Sequence, residues 1–591
     1  MSEFKKLNID KLSWFVWRHC LIGFNSIKYD MLILTMLLYG YQNEAIFKAS
    51  SELVLTDKPH YILAKELGLK TPDLNHIDLI EVAPLKGSLK LYGGRMHCRT
   101  MRELPYTPDK KLTADEMKIV VDYCCNDLDI TQLLYEELLP HIELRESMGK
   151  EYSLDLRSKS DAQMAEAIIK SELKKITGVY PKKPNKVCDL VKFEVPNYIC
   201  FQNASLKDVV SKIASHEFQK TQHGFLMPDF LKESIELNGK KYQLGMGGLH
   251  SKETNQAVLA DEETHLIDRD VASYYPRIIL NQQLYPDHLG IDFLVCFDSL
   301  VERRLVAKKQ ENKKTSEGLK VTINGTFGKL GDDYSIINSP RLLLQVTISG
   351  QLSILMLIEG VESTGAEVIS ANTDGIIIKC PRYLYKDVCE VIAAWERHCK
   401  FQTEETKYSA VYSRDVNSYI ALKNLSKETD KEKHKRLSNK LFADRLGCKV
   451  KGFYSEVGSA QNSPLSRNPE NQICKDALIA FLIDKTPLEK TIKESKDFRR
   501  FLTIRNVKGG GIKDGHNVGK VIRTYYAANE YGDIKYKTTN NRVSNTIGAK
   551  PVLVLPEKFP DDLNYERYIE ETYEMLFDVG YYKRASNTSL F

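Results

Sequence analysis

Residues 267–280, IDRDVASYYPRIIL, form an apolar run that is interrupted by carboxylates and followed by two tyrosines and a proline. The apolar positions predict a buried β-strand. This combination constrains the fold, because a buried strand can carry charges only where they reach water or a counter-charge. Side chains alternate along a strand, so Asp268 and Asp270 should lie on one face. An isolated aspartate at a strand end is as often a simple cap, and the function of this acidic edge depends on its partners.

A second acidic strand end follows in NTDG, residues 372–375. The turn lies between the apolar stretches EVIS and IIIKC, so the sequence predicts a tight hairpin with Asp374 at its tip. Taken alone, Asp-Gly is most often only a favourable turn. Two acidic strand ends brought together could instead hold two Mg²⁺ ions, which prefer oxygen ligands. Such a pair of ions stabilises the attacking and leaving oxygens of an in-line phosphoryl displacement.

Residues 319–331, LKVTINGTFGKLG, lie between the two acidic segments and fit a helix. One face of that helix would carry Lys320, Asn324, Phe327 and Gly328. Upstream, Arg304 and Lys308 are also four residues apart. A charge-rich helix is usually only a solvated face. Two such helices could also bind a triphosphate through charge-assisted hydrogen bonds.

Composition describes a globular chain that is too long for one core. Its 591 residues suit roughly three to five domains or subdomains. The 84 basic and 79 acidic side chains leave a charge of +5, which does not diagnose a nucleic-acid binder, so any basic surface must be local. The 12 cysteines include no CxxC pair, which favours reduced thiols and a cytoplasmic location. Arg18 and His19 interrupt the apolar N-terminal stretch, so no membrane span is expected.

Helical and strand-like patterns are largely segregated along the chain. Helical periodicity runs through residues 114–139 and 341–360, and a strand–turn–strand pattern covers 367–380. The segregation favours an α+β fold with mainly antiparallel strands. Residues 425–440 predict a solvated helix or loop, and residues 459–472 a linker into a last, mostly helical unit.

Three stretches in a fixed order resemble motifs A, B and C of family B DNA polymerases. They are DVASYYP (270–276), KVTINGTFG (320–328) and NTDG (372–375). The motifs of the family read DxxSLYP, KxxxNSxYG and DTDS. The resemblance covers residues 235–420 closely, and it is greatest to phage-type enzymes. It implies a right-hand architecture of palm, fingers and thumb that extends a primer 3′-OH with dNTPs on a DNA template.

The resemblance also implies roles for individual residues. Asp270 and Asp374 would be catalytic, and with Val271 they would form the site of two Mg²⁺ ions, which Mn²⁺ could replace. Nucleotide binding would involve Ser273, Tyr274, Tyr275, Arg304, Lys308, Lys320 and Asn324. Contacts to the primer–template would involve Phe327, Gly328, Tyr419 and Lys451. Tyr275 matches the tyrosine whose ring lies under the incoming sugar and excludes a ribose 2′-OH.

This sequence departs from the family motifs at three positions. Asn372 stands where the family usually has the first aspartate of motif C, so that position adds no negative charge. Gly325 stands in place of Ser, and Phe327 in place of Tyr, which removes a hydroxyl. The second aspartate of motif C is the firmer ligand, so these changes are expected to be tolerated.

The segment expected to contact the primer departs from the family as well. SRDVNSYIALK resembles the KxY strand at Tyr419, but Asn417 occupies the position of the lysine. Lys449 or Lys451 is expected to take over the contact. Residues 505–517, RNVKGGGIKDGHN, predict a basic, glycine-rich loop of the thumb that is suited to phosphate contact.

Two N-terminal stretches resemble the 3′–5′ exonuclease domain of the same family. GFNSIKYD contains Asn25, Tyr29 and Asp30 of motif II, and YCCND contains Tyr123 and Asp127 of motif III. The DxE of motif I is not found before Gly23, so a truncated ribonuclease H-like domain is expected. Proofreading would be lost, or would depend on an upstream polypeptide that adds the missing strand.

The expected domains follow from these assignments. They are a truncated exonuclease domain (1–150), a connecting region (151–235), a first palm segment (236–300), fingers (301–336), a second palm segment (337–458) and thumb (459–591). The expected partners are primer–template DNA, dNTPs and the upstream polypeptide, with no membrane, in the host cytoplasm if the chain is phage-encoded.

Two other classes of function remain open. One is a catalytically impaired polymerase remnant that binds primer–template DNA as a module, and the intact Asp270 and Asp374 argue against it. The other is a 3′–5′ exonuclease with a vestigial polymerase half, against which the missing DxE argues more strongly.

Overall fold

The computed structural model describes residues 8–56, 58–84, 87–107, 110–185, 189–222, 224–456 and 465–583. The chain forms two compact units. Unit 1 consists of Met1–Asp161, Ser463–Glu470 and Asp497–Leu563, and unit 2 of Ala162–Asn462, Asn471–Lys496 and Asn564–Phe591. Each unit therefore joins segments that are distant in sequence. The six-segment domain assignment stays a prediction.

The helices are, in chain order, α1 (Ile9–Arg18), α2 (Asp30–Leu38), α3 (Asn43–Leu55), α4 (His60–Glu66), α5 (Leu79–Val82), α6 (Leu89–Arg95), α7 (Ala114–Tyr152), α8 (Asp161–Thr177), α9 (Ala204–Ser215), α10 (Asp229–Lys232), α11 (Tyr274–Asn281), α12 (Ile291–Lys309), α13 (Lys313–Lys329), α14 (Pro340–Ser363), α15 (Tyr385–Cys399), α16 (Asp430–Leu437), α17 (Phe442–Arg445), α18 (Gln472–Asp484), α19 (Leu488–Glu494) and α20 (Tyr565–Asp578).

The strands are, in chain order, β1 (Leu21–Gly23), β2 (His76–Asp78), β3 (Leu190–Lys192), β4 (Glu217–Thr221), β5 (Gly224–Phe225), β6 (Ile235–Leu237), β7 (Lys240–Leu244), β8 (Leu249–Ser251), β9 (Gln256–Leu259), β10 (Thr264–Val271), β11 (Glu367–Asn372), β12 (Gly375–Pro381), β13 (Thr403–Asp415), β14 (Ser418–Lys423), β15 (Cys448–Val450), β16 (Thr503–Lys513), β17 (His516–Tyr526), β18 (Lys535–Tyr536) and β19 (Ala549–Pro551).

Unit 1 combines the N-terminal helices with two small sheets. β1 and β2 form a parallel pair, and β18, β16, β17 and β19 form a four-stranded antiparallel sheet in that order. The long helix α7 begins with a capping box, in which Thr113 and Glu116 satisfy each other's backbone N–H groups. The helical period predicted over 114–139 is confirmed and extends to Tyr152.

The loop predicted at residues 505–517 is wrong, because these residues lie in the β16–β17 hairpin of unit 1. Apolar side chains such as Ile504 and Val507 are buried at intervals along β16. Asp514 and Gly515 have positive φ values of 49° and 80°, as the tip of a tight hairpin requires. The C-terminal part of the chain is accordingly mixed rather than mostly helical. Of the predicted linker at 459–472, residues 459–464 lie outside the described residues.

Unit 2 is built on a seven-stranded sheet in the order β11-β12-β10-β13-β14-β15, with β9 also paired to β13. All of its pairings are antiparallel. The predicted hairpin at 367–380 is confirmed as β11 and β12. The register places Asp270 of β10 opposite Gly375 of β12, so the two acidic segments of the sequence meet at one end of the sheet. A mixed helix-and-sheet fold is confirmed.

Helix α14 is the core helix of unit 2. Ser339 caps its first turn and Pro340 is its first residue, which is the position where proline costs no hydrogen bond. The helix is long and apolar enough to cross a membrane, but 89% of its apolar window is buried inside the protein. It packs against α11, α15 and β11. Its burial explains the apolar period at 341–360 as a core helix.

Candidate active site

The three carboxylates predicted from the sequence lie at the end of the central sheet. Asp268 and Asp270 are on the same face of β10, and Asp374 lies in the turn between β11 and β12. The backbone N–H of Val271 donates to the carbonyl oxygen of Asp374 at 2.7 Å. The side chain of Asn372 accepts a hydrogen bond from the backbone N–H of Asp374 at 3.3 Å. The residue that departs from the family pattern therefore shapes the turn that carries Asp374.

Glycine is required at position 375 by this close approach. A Cβ there would overlap Oδ1 of Asp270 and would lie 2.8 Å from the carbonyl oxygen of Arg269. Backbone cannot give way as a flexible side-chain tip does, so any larger residue would push β12 from β10. The glycine of the NTDG turn thus brings the two acidic strand ends together.

The electrostatics of the pair fit a divalent cation. Burial in the cleft raises the pKa of Asp374 and the charge of Asp270 raises it further, whereas Lys451 and Lys449 oppose the shift. Hard cations such as Mg²⁺ prefer carboxylate and carbonyl oxygens. Asp270, Asp374 and the carbonyl of Val271 are a suitable donor set, because a bound cation would relieve the repulsion. The described residues contain no cluster of three or more His, Cys, Asp or Glu side chains that could hold a metal by themselves.

Lys449 has a contact that the sequence did not predict. Its ammonium group donates to Oδ2 of Asp268 at 2.7 Å and to Oδ2 of Asp270 at 3.1 Å. Asp268 also accepts a hydrogen bond from the Tyr408 hydroxyl. Burial would lower the pKa of Lys449, but Tyr419, Asp268 and Asp270 together raise it above its usual value. The lysine therefore stays charged and neutralises part of the acidic edge.

Asp268 is a supporting group in this arrangement. Its side chain is only 5% exposed, against 46% for Asp270. Burial and the charge of Asp270 raise its pKa, while Lys449 and Tyr408 oppose that shift. Asp270, which is the more exposed of the two, is therefore better placed to meet a cation.

A cleft of about 470 Å³ adjoins the carboxylates. Its lining includes residues from all three sequence motifs, namely Val271, Ser273, Tyr274, Tyr275, Lys320, Asn324, Phe327 and Asp374, together with Arg304 from α12. The strand β10 leads into the cleft through Ser273, whose left-handed backbone (φ 51°) turns the chain into α11. The fold thus brings together nine residues that were predicted separately.

Tyr274 and Tyr275 occupy different environments. The Tyr274 side chain is buried and its hydroxyl donates to the carbonyl oxygen of Gly350 at 2.6 Å. The Tyr275 hydroxyl donates to the carbonyl oxygen of Gly247 at 2.9 Å, and its ring lies 4.5 Å from the ring of Phe327. Burial and the charge of Asp374 raise the pKa of Tyr275 to about 12. Tyr275 is therefore the neutral aromatic surface beside Asp374.

The basic residues predicted to bind the triphosphate differ in how firmly their side chains are held. Arg304 donates to the hydroxyl of Ser273 at 3.1 Å and lines the cleft. Lys320 also lines it, and its ammonium is 3.7 Å from Glu317. Lys308 is exposed, lies 3.9 Å from Glu404 and is not among the lining residues. These cations lie on α12 and α13, which confirms the predicted helices.

The residues predicted to contact the primer–template are spread more widely. Tyr419 is buried in the core of the sheet, and burial raises its pKa, with Asp268 and Asp270 adding to the shift and Lys449 opposing it. Lys451 follows β15, and its charge acts on Asp374. Gly328 is exposed on α13, where a Cβ would meet no atom within 4 Å. Their roles stay predictions.

The predicted exonuclease residues of unit 1 form two separate groups. The backbone N–H of Asn25 donates to the buried Asp78 at 2.7 Å, and Asp78 is also the charge that acts on Asp30, whose pKa burial raises. Tyr123 lies beside Asp127 on α7, and burial raises the pKa of both. The charges acting on Asp127 come from Lys90 and Glu103.

Within the part of the chain that the structure describes, the charges acting on Asp30 and on Asp127 come from different residues, and neither carboxylate acts on the other. Asp78, which the sequence analysis did not identify, organises the first group. Its burial at the end of β2 and its position 48 residues after Asp30 in the sequence gave no motif to recognise.

Comparisons with known proteins leave the family open. No protein-family model matches the chain, and no curated protein matches it. Among solved structures, the chain is similar to the family B DNA polymerase from the hyperthermophilic archaeon Pyrobaculum calidifontis, with 12% identity and a TM-score of 0.40. The match covers 98% of this chain and 72% of that one. This similarity is distant, so any function has to be argued from the site itself.

Replacing Lys449 should reveal the charge balance of the acidic edge. Lys449→Met leaves Asp268 buried without its counter-charge, and we expect a loss of about 3–5 kcal/mol in the free energy of unfolding. The double variant Lys449→Met/Asp268→Asn removes that uncompensated charge and should recover most of the loss. Urea denaturation at neutral pH measures both effects.

The matched control is Lys451→Met, because within the described residues the Lys451 ammonium makes no ion pair with Asp268 or Asp270. Its expected cost is below about 1 kcal/mol. Equal losses for the two lysine variants, or no recovery in the double variant, would contradict the assigned role of Lys449.

Proposed function

We propose that this chain is a DNA-templated DNA polymerase of the family B type, which extends a primer 3′-OH with dNTPs by two-metal phosphoryl transfer. The observation that carries the proposal is the cleft beside Asp270 and Asp374. It is lined by residues of three motifs that lie far apart in the sequence, such as Tyr275, Lys320 and Asp374. Each motif alone would be weak evidence. Their convergence on one site supports a common function.

Asp270, Asp374 and the carbonyl oxygen of Val271 would hold the Mg²⁺ ions. Bound Mg²⁺ supplies Lewis-acid stabilisation of the attacking 3′ oxygen and of the leaving pyrophosphate. The protein contributes the geometry, because Gly375 allows the two strand ends to approach. Lys449 keeps one oxygen of Asp270 occupied, which orients the carboxylate before a cation arrives.

The triphosphate would lie against the cations of α12 and α13. Arg304 and Lys320 line the cleft, and Lys308 on the next turn of α12 could reach the outer phosphates. Charge-assisted hydrogen bonds from such groups are stronger than neutral ones. Positioning and charge neutralisation account for most of the catalysis in phosphoryl transfer, so these side chains need no covalent chemistry.

The sugar would be selected by Tyr275. Its ring lies against Phe327 and its hydroxyl is bonded to Gly247, so the ring cannot turn aside without losing contacts. A ribose 2′-OH in the same space would meet this ring. Tyr274, whose side chain is buried under α14, would offer mainly its backbone to the nucleotide.

The direct test of the proposed function is extension of a labelled primer on a DNA template with dNTPs and Mg²⁺. Extension directed by the template supports a polymerase. Tight binding of the primer–template without extension would instead support the alternative of a DNA-binding polymerase remnant. A protein that neither binds nor extends the primer–template would contradict both the polymerase and the DNA-binding remnant.

Asp374→Asn should abolish extension. Asp374 is the only carboxylate in its turn, so no neighbour can replace it, and losing a metal ligand should reduce the rate roughly a thousandfold or more. DNA binding, measured by fluorescence anisotropy, should remain within a few-fold. The control is Asp387→Asn, which changes an exposed carboxylate of α15 and should extend normally. Near-normal extension by Asp374→Asn would remove this residue from the active site.

Tyr275→Ala should admit ribonucleotides, because the bulk of the ring fills the space of the 2′-OH. Tyr275→Phe keeps that bulk and should remain much closer to the wild type. The measurement is the ratio of dNTP to rNTP incorporation efficiency in single-nucleotide extension. If the alanine variant rejects ribonucleotides as the wild type does, the assignment is wrong and Tyr274 becomes the candidate.

We further propose that this chain alone lacks proofreading. A two-metal exonuclease needs several carboxylates around its ions, and Asp30 and Asp127 belong to separate groups in unit 1. A mismatched 3′ end incubated with Mg²⁺ and no dNTPs should therefore stay intact. Degradation that disappears in Asp127→Ala would show that the domain is complete.

A further inference from the structure

A short glycine-rich connection borders the cleft. Residues 245–248, Gly-Met-Gly-Gly, link β7 to β8, and we call them the glycine strap. The sequence motifs of the proposed active site do not include them. Four residues with three glycines have little intrinsic order, because glycine loses more backbone entropy on folding than other residues. The pairing of Leu244 with Leu249 closes the strap as a hairpin loop, and contacts from outside the hairpin fix its position further.

Gln351 is the group that holds the strap. This side chain lies on α14 and is 2% exposed. The backbone N–H of Gly245 donates to its Oε1 at 2.8 Å, and its Nε2 donates to the carbonyl oxygen of Gly245 at 2.8 Å. Both polar groups of one glycine are thus satisfied by one amide. A third hydrogen bond, from Nε2 to the carbonyl oxygen of Thr347 at 3.2 Å, orients the amide itself.

The strand that follows the strap, β8, is anchored on the central sheet through its last residue, Ser251. The Ser251 hydroxyl donates to the carbonyl oxygen of Ala371 at 3.0 Å and accepts from the N–H of Ala371 at 2.8 Å. Ala371 belongs to β11, one residue before the turn that carries Asp374. The strap therefore runs between two fixed points, the core helix and the sheet.

Between these points the strap touches both sides of the site. The carbonyl oxygen of Gly247 accepts the hydrogen bond of the Tyr275 hydroxyl. At Gly248, a Cβ would overlap Oγ1 of Thr373 and lie 3.0 Å from its Cβ. The absence of a side chain lets the strap pack directly on the turn. Tyr275 and the Asp374 turn thus share one support.

We propose that Gln351 is a positioning residue for sugar selection, which acts through the glycine strap on the hydroxyl of Tyr275. The inference rests on the proposed function, since it assigns a role within nucleotide selection. The ring of Tyr275 excludes the 2′-OH by its bulk, and that exclusion is strict only while the ring keeps one position. The Gly247 bond limits the ring, and the Gln351 clamp limits Gly247.

The same helix provides a matched control. Gln345 is also buried on α14 and holds the backbone of Glu194 in the same two-bond manner, accepting from its N–H at 3.1 Å and donating to its carbonyl oxygen. The hydrogen bonds of Gln345 go to Glu194, whereas those of Gln351 go to Gly245 of the glycine strap. Gln351→Met and Gln345→Met therefore both remove a two-bond contact to a distant backbone, and Gln351→Met also removes the bond to Thr347, so both variants should lower thermal stability. Only Gln351→Met should change the selection between deoxyribose and ribose.

The first readout is the selectivity ratio of dNTP over rNTP incorporation. We expect Gln351→Met to lower this ratio about 2- to 10-fold, as the loss of one effective hydrogen bond allows, with a smaller change in dNTP extension. Gln345→Met should leave the ratio unchanged. Equal ratios for the two variants would overturn the proposal, whatever their stabilities.

A double-variant cycle tests the route. Tyr275→Phe deletes the bond to Gly247 directly, so it should lower the ratio to a similar extent. Both changes disable the same contact. The selectivity ratio of the double variant Gln351→Met/Tyr275→Phe should therefore not fall below the ratio of the less selective single variant. Multiplied effects in the double variant would show that Gln351 does not act through Tyr275, and would overturn the proposal.

A second pair of variants covers the case in which Gln351→Met does not fold. Gly248→Ala forces the strap from Thr373, whereas a Cβ at Gly360 of α14 would meet only the Val391 side chain, at 3.1 Å, so Gly360→Ala is the control. Only Gly248→Ala should lose selectivity. Equal selectivity of the two would contradict the positioning role of the strap.

Hydrogen–deuterium exchange separates this inference from the proposed function. Peptides covering residues 244–251 should exchange faster in Gln351→Met than in Gln345→Met. If the wild type fails to extend a primer, the polymerase proposal fails while this result still tests the clamp. If the wild type is active and exchange over 244–251 is unchanged in Gln351→Met, the Gln351 clamp is refuted while the polymerase proposal stands.

Discussion

The compensation of like charges at the end of the central sheet is the constraint on which the site depends. Asp268, Asp270 and Asp374 gather where β10 meets the β11–β12 turn, and their mutual repulsion opposes that arrangement. Lys449 bonds to two of them. A buried carboxylate without such a partner would cost several kcal/mol. The position of β15 at the sheet edge, which delivers Lys449, is therefore as necessary to the site as the motif residues are.

Much of the candidate site could be predicted because its residues lie in a few short, contiguous segments of the sequence. The alternation in residues 267–271 placed two carboxylates on one face, and the Asp-Gly turn predicted a hairpin tip. Helical spacing predicted that Lys320 and Asn324 share a face. Each of these inferences needs only local geometry, period 2 for a strand and period 3.6 for a helix. The mixed fold followed from the segregation of the same periods.

The rest depends on contacts that local patterns do not encode. Lys449 is 179 residues from Asp270, and Gln351 is 106 residues from Gly245, so neither partner could be chosen from spacing. The hairpin of β16 and β17 was mistaken for a loop because three successive glycines suggest flexibility. In the structure these glycines lie within β16, where the strand register shifts between Asn506 and Gly511. The propensities of single residues do not predict such an irregularity.

The side chains around the candidate site differ in how tightly their contacts fix them. This difference fits the role that each would have in the proposed function. Tyr275 is held by a hydrogen bond and a ring contact, and Asp270 by Lys449. Preorganised groups of this kind stabilise a reaction without reorganising during it. Lys308 and Lys320 are exposed on α12 and α13 and retain rotamer freedom, which a ligand would have to restrict at a cost of about 0.5–1.5 kcal/mol each. Under the proposed function, a restrained group for sugar selection and mobile groups for phosphate binding would act at one site, because the sheet and the core helix restrain Tyr275 while Lys308 and Lys320 are free to rotate on α12 and α13.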